Sequence, residues 1–217
     1  MMNHLDPGYP LAPSEMVYLN GEQFARTARL GHRLIGKDIK VHQNQLAEAI
    51  FTAALLGAEA AGLITFELSE KGGFLGGARK LTVAVTGEGA FPTGSFEAQL
   101  PALIHQLDSP LRSRSVRQIM ALWLRRDSDT PVSMALEKIQ KGLDGRGLLE
   151  QVGEKKLIFT VMHYELTGEA KQLAEGAPVA VLQGLLSSCQ ENRPELWKSI
   201  THGIKHGFDD RRTDVDD

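Results

Sequence analysis

The stretch that most constrains what this chain can fold into is residues 130–166, TPVSMALEKIQKGLDGRGLLEQVGEKKLIFTVMHYEL. Thr130 is a helix-capping residue type, and Pro131 suits a first turn, where a missing amide hydrogen costs nothing. Val132, Ala135, Leu136, Ile139 and Leu143 recur at helical spacing and form one apolar stripe. Gly145 and Gly147 stop the helix, since glycine tolerates the left-handed cap. Residues 148–152 and 157–166 then follow as strands around a turn at 153–156. The result is a helix, a glycine stop and a two-stranded hairpin, as in DNA-binding winged helices and some membrane-associated proteins.

The same order occurs earlier. Leu46, Ala49, Ile50, Ala53, Leu56 and Ala60 line one side of a helix expected over 45–61, after Asn44. Gly62 ends it, 63–68 reads as a strand, 70–77 as a glycine-rich turn and 79–85 as a return strand. Gly62-Leu63 corresponds to Gly147-Leu148. The fold class is therefore mostly α with β-hairpins (α+β), with two winged-helix-like helix–hairpin units in one helical domain over 18–208. The units span about 18–94 and 95–176, with closing helices over 177–207.

The rest of the chain fills in around these units. Residues 1–17, with three prolines, read as a loose arm. Asn20 and Gln23 resemble a capping box for a helix running to about Leu34, with Arg26, Arg29 and Arg33 on its polar face. Ser95 and Ser115 cap helices over 96–107 and 116–126, and Pro101 is expected to kink the first or delay its start. Residues 167–175, 179–188 and 194–206 read as further helices. The acidic end, 209–217, reads as a solvated tail.

Composition bounds the function. The 217 residues carry 42% hydrophobic side chains, enough for a buried core, and a formal net charge of -3, which does not favour nucleic acid. The one cysteine, Cys189, excludes an internal disulfide framework and fits a reducing, cytoplasmic setting. Residues 1–16 lack a basic segment followed by an apolar run, so no signal peptide is expected. No apolar run is long enough to span a bilayer, so any membrane association is expected to be peripheral.

The glycines at 72–77 precede a strand rather than a helix, so a hairpin tip is expected in place of a phosphate loop. Phe74 and Leu75 at that tip, with Lys155 and Lys156 on the second hairpin, are candidate membrane or partner contacts. Arg112, Arg114, Arg117, Arg125 and Arg126 form the most basic run, and guanidinium groups suit phosphate. They are the candidate anionic-lipid or phosphate site, against a solvated face in which Arg125 and Arg126 pair with Asp127 and Asp129. His202 and His206 lack the third and fourth ligands of a metal site. Cys189 is expected to be buried and inert. No nucleophile elbow or paired-carboxylate signature appears. No catalytic residue, cofactor or metal is expected. The polar positions of the 131–144 helix, Ser133, Glu137, Lys138, Gln140, Lys141 and Asp144, sum to no net charge, which favours packing or protein contact over DNA.

Several strings resemble the Golgi phosphoprotein three family. They are Tyr18-Leu19-Asn20-Gly21-Glu22-Gln23-Phe24, the helix ending Glu59-Ala60-Ala61-Gly62-Leu63, Arg79-Lys80-Leu81 followed by Pro92-Thr93-Gly94, and Arg146-Gly147-Leu148-Leu149. Residues 157–167, ending Glu165-Leu166-Thr167, are similar to the family's hairpin return. The resemblance runs from about Tyr18 to Leu186. It implies a helical domain decorated by hairpins, phosphatidylinositol 4-phosphate binding at membranes, and an adaptor role without catalysis. The family's headgroup arginines fall at Phe51, Ser133 and Leu136 here and its headgroup tryptophan near His42, so the arginine run would have to supply the anion contacts. The expected partners are an anionic phospholipid headgroup, and a protein or a second copy through the hairpins. The alternative is a tandem winged-helix module that binds DNA or protein.

Overall fold

The structure, a computed structural model, describes residues 9–69, 81–108, 114–156 and 159–212, with the backbone alone at 154–156 and 159–161. Among the described residues the fold is mostly α with three two-stranded antiparallel hairpins. Helix α1 is Pro13–Leu19, followed by a 3-10 turn at Gly21–Gln23 and the strands β1 (Thr27–Arg33) and β2 (Lys40–Val41). The first helix–hairpin unit is α2 (Gln43–Ala60), β3 (Ile64–Leu68) and β4 (Leu81–Val85). Then come α3 (Phe96–Gln106) and α4 (Val116–Leu124). The second unit is α5 (Pro131–Asp144), β5 (Leu149–Lys156) and β6 (Phe159–Leu166). Helices α6 (Gly168–Gly176), α7 (Val179–Asn192) and α8 (Pro194–Asp209) close the chain.

Helix α2 is the hub of the core. Leu46, Ile50, Phe51, Ala53, Ala54, Leu55 and Leu56 are all buried, and its small residues let neighbours approach closely. It packs against α1, α3, α5, α7 and α8. At the centre, the Phe51 ring meets Phe96, Trp123 and Phe208 edge-on, with centroids 5.1, 5.2 and 5.8 Å apart. That is the favoured geometry for aromatic pairs.

Both units close through the same contacts. Gly62 and Gly147 adopt φ of +73° and +71°. The next amide, Leu63 or Leu148, donates back to the carbonyl of Ala58 or Leu143, at 2.9 and 3.1 Å. At the far end, the Thr86 and Thr167 amides donate to the carbonyls of Leu63 and Leu148, at 3.0 and 3.2 Å. The αL cap turns the chain out of the helix, and the returning threonine clamps the base of the hairpin.

The structure departs from expectation in five places. The arm reading fails from residue 9 onward, because every residue of α1 is buried. Glu15 closes its capping box onto the Ala12 amide at 2.9 Å and pairs with Arg146, whose other nitrogen reaches the Pro10 carbonyl at 2.8 Å. From α3, Glu97 accepts from both the amide and the hydroxyl of Ser14 at 2.7 Å. This buried acid network pins α1, and three prolines did not foretell it. The helix expected up to Leu34 is instead a short turn and β1. Gly31 lies against β2, where a Cβ would fall 2.2 Å from the Val41 carbonyl oxygen, so glycine permits the approach. Thr130 makes no capping bond, and its hydroxyl meets Asp129 instead. Strand β5 runs on to Lys156, in register with Phe159, so the expected turn at 153–156 is strand. Lastly, residues 209–212 are not a solvated tail. Asp209 ends α8, Asp210 pairs with Arg117, Arg211 pairs with Asp127, and Arg212 bridges to Ser128.

Candidate anion-docking surface

The arginine run separates in space. Arg112, Phe74 and Leu75 lie outside the described residues, as do the side chains of Lys155 and Lys156. Arg114 is 3.9 Å from Asp108. Arg117 donates from both Nε and a terminal nitrogen to Asp210, each at 2.6 Å, a bidentate pair that neutralises it. Asp127 is taken by Arg211 at 3.1 Å, so the expected pairing of Asp127 with Arg125 or Arg126 does not form.

Arg125 and Arg126 are exposed, and neither has an acidic partner among the described residues. Arg125 is the C-cap of α4 at φ 65°, the one non-glycine residue with positive φ among those described. A side chain there strains the backbone, a feature that often accompanies function.

Helix α5 completes the surface. Lys138 and Lys141, three apart, share one flank of the helix. The Lys138 ammonium lies 4.4 Å from the Trp123 ring centroid and donates to the Trp123 carbonyl. Its pKa is pulled down to about 8, first by burial and then by the positive charges of Arg125 and Lys141. Arg125 and Lys141 thus stand close enough to act on Lys138, although the Trp123 contacts favour the ammonium form. Along the chain, Arg125 and Arg126 belong to a run with Arg112–Arg117, and Lys138 and Lys141 sum to zero with Glu137 and Asp144. The i, i+3 lysine pair was the available signal. The contact between α4 and α5 that joins the two sets was not legible.

Of the positions that the resemblance assigns to a headgroup, His42 is exposed and the other three are taken up in packing or hydrogen bonding. Phe51 and Leu136 are core residues, and the Ser133 hydroxyl accepts from the Gln43 amide at 2.6 Å. His202 and His206 stack edge-on with ring centroids 4.1 Å apart, and the nearest acid, Asp209, is 3.8 Å from His206. Among the described residues, no three His, Cys, Asp or Glu side chains are grouped to hold a metal ion. Cys189 is buried, and burial pushes its thiol pKa up. Among the described residues, no helix is long and apolar enough to cross a membrane. Set against known protein families, curated proteins and solved structures, the chain matches none.

Proposed function

We propose that this protein is a non-enzymatic peripheral protein or adaptor that docks on anionic, phosphate-bearing membrane through Arg125, Arg126, Lys138 and Lys141. One observation carries the proposal: Arg125 and Lys141 act electrostatically on Lys138 where α4 packs on α5, beside a backbone strained at Arg125. Guanidinium and ammonium groups so placed suit headgroup phosphate, and each basic residue near an anionic surface contributes about 1 kcal/mol. The resemblance to phosphoinositide-binding adaptors points the same way, with the contacts moved from the family's positions to this cluster. A DNA-reading use of α5 is disfavoured, since its polar positions sum to no net charge.

Vesicle flotation tests this. The protein is expected to float with vesicles containing anionic lipid, including phosphatidylinositol 4-phosphate, and not with neutral ones. The association should fade with added salt. Arg125→Glu with Lys141→Glu should abolish it without unfolding the protein, and Arg114→Glu should leave it intact. Flotation unchanged in the double variant sinks this surface. A salt-sensitive DNA shift without flotation favours the winged-helix alternative.

A further inference from the structure

The β1–β2 hairpin, the β6–α6 corner and Gln140 of α5 bound an open cleft of about 710 Å³. Its volume suits a small organic ligand. Two residues that line it, Tyr18 and His32, each carry a buried polar atom with no hydrogen-bond partner among the described residues: Tyr18 Oη and His32 Nε2. Tyr18 is 2% exposed, and its ring lies 5.7 Å from that of His32. Buried polar groups are normally satisfied, so two orphans at one cleft point to a missing partner.

The surrounding groups define the missing partner. Burial raises the Tyr18 phenol pKa and lowers that of the His32 imidazole, so both groups are neutral and each can donate a hydrogen bond. At the rim, Lys37 is held by Glu22, Arg33 by Asp38 and Glu165 by His163. Lys171 lines the same cleft, is exposed and has no acidic partner among the described residues. The cleft thus has unspent donors and one unspent positive charge. Glu137 stands close enough to act electrostatically on Tyr18 and opposes an anion here, so Lys171 offsets no more than a single negative charge. Met162, 51% exposed, and half-buried Ile35 offer an apolar wall.

We propose that this cleft binds a small monocarboxylate. Its oxygens accept from Tyr18 Oη and His32 Nε2, its charge faces Lys171, and its hydrocarbon lies along Ile35 and Met162. The site uses none of Arg125, Arg126, Lys138 and Lys141 and does not depend on that reading.

The test is titration of the full chain, followed by NMR of the His32 and Tyr18 rings, with four probes: octanoate, benzoate, benzamide and inorganic phosphate. One or both carboxylates should give saturable shifts with a dissociation constant at or below about 1 mM. Benzamide and phosphate should bind at least about tenfold more weakly, a difference of 1.4 kcal/mol. Tyr18→Phe removes one unpartnered hydroxyl and keeps the ring, so it should fold at least as stably as the parent yet bind about tenfold more weakly. Lys171→Gln, at an exposed position, should weaken carboxylate binding while leaving the melting temperature unchanged. The proposal is overturned if no carboxylate saturates. It is also overturned if benzamide or phosphate matches the carboxylates, or if Tyr18→Phe binds as the parent does.

Discussion

The two helix–hairpin units have the same backbone and opposite uses. Counted back from the glycine stop, Phe51 of α2 corresponds to Leu136 of α5, and both are buried. One register further on, the units part. Thr52, Ala53, Leu55 and Leu56 are fully enclosed in α2, whereas the corresponding Glu137, Lys138, Gln140 and Lys141 of α5 are exposed or half-buried. The likeness continues past the hairpins. Ser95 caps α3 by accepting from Ala98, and Thr167 caps α6 by accepting from Ala170, each at 3.2 Å. The acid two residues after each cap again differs: Glu97 is buried against α1, and Glu169 faces solvent. A local code of periodicity, αL glycine and returning threonine fixes the shape of each unit. The residues on the helix flanks then make one unit the centre of the core and the other a surface that can meet a partner.

The largest effect should come from the core position. Phe51→Ala should lose about 3–5 kcal/mol in denaturant unfolding, and Leu136→Ala about 2–5 kcal/mol. A Phe51→Ala loss smaller than that of Leu136→Ala would break the assignment of α2 as hub.

Next comes the acid that only one unit buries. Burial raises Glu97 to about 7, against the hydrogen bonds from Ser14 that hold it down. A raised folded-state pKa means that the folded protein binds more protons than the unfolded chain between about 4.5 and 7. The stability due to Glu97 is therefore fully present below about 4.5 and is lost as pH rises through 7. Unfolding midpoints measured across this window should show that slope, and Glu97→Gln should flatten it. Glu169→Gln should change stability by no more than about 0.5 kcal/mol.

The αL positions sharpen the comparison further. Gly62→Ala and Gly147→Ala place a Cβ in open space, so each should cost only the backbone penalty, about 1 kcal/mol, and equally in the two units. Arg125 is the reverse case. Arg125→Gly should stabilise the fold by up to about 1 kcal/mol while weakening vesicle association. A stabilised variant that still docks at full strength would show the strain to be unrelated to binding.

The smallest effect concerns Lys138. Docking should weaken between pH 7 and about 9, as Lys138 loses its proton near 8. Lys138→Arg, charged throughout, should remove that part of the pH dependence. If it does not, Lys138 is a packing residue of the Trp123 contact.

By itself the sequence determined the local code. The stripe of α5, the αL glycines, the Ser95 and Ser115 caps and the order of helices and hairpins from α2 onward all follow from interactions within a few residues, which composition and spacing encode. Tertiary structure decided which charges remain free and which segments are buried. Arg117 is silenced by Asp210 and Asp127 by Arg211, 93 and 84 residues apart, so no window along the chain could reveal that Arg125 and Arg126 stay unpaired. Helix α1 is buried because Glu97, 83 residues from Ser14, holds it, and Tyr18 meets His32 only where the first hairpin folds back. Charge pairing and burial depend on distance through space, whereas helix periodicity and turn chemistry depend on distance along the chain.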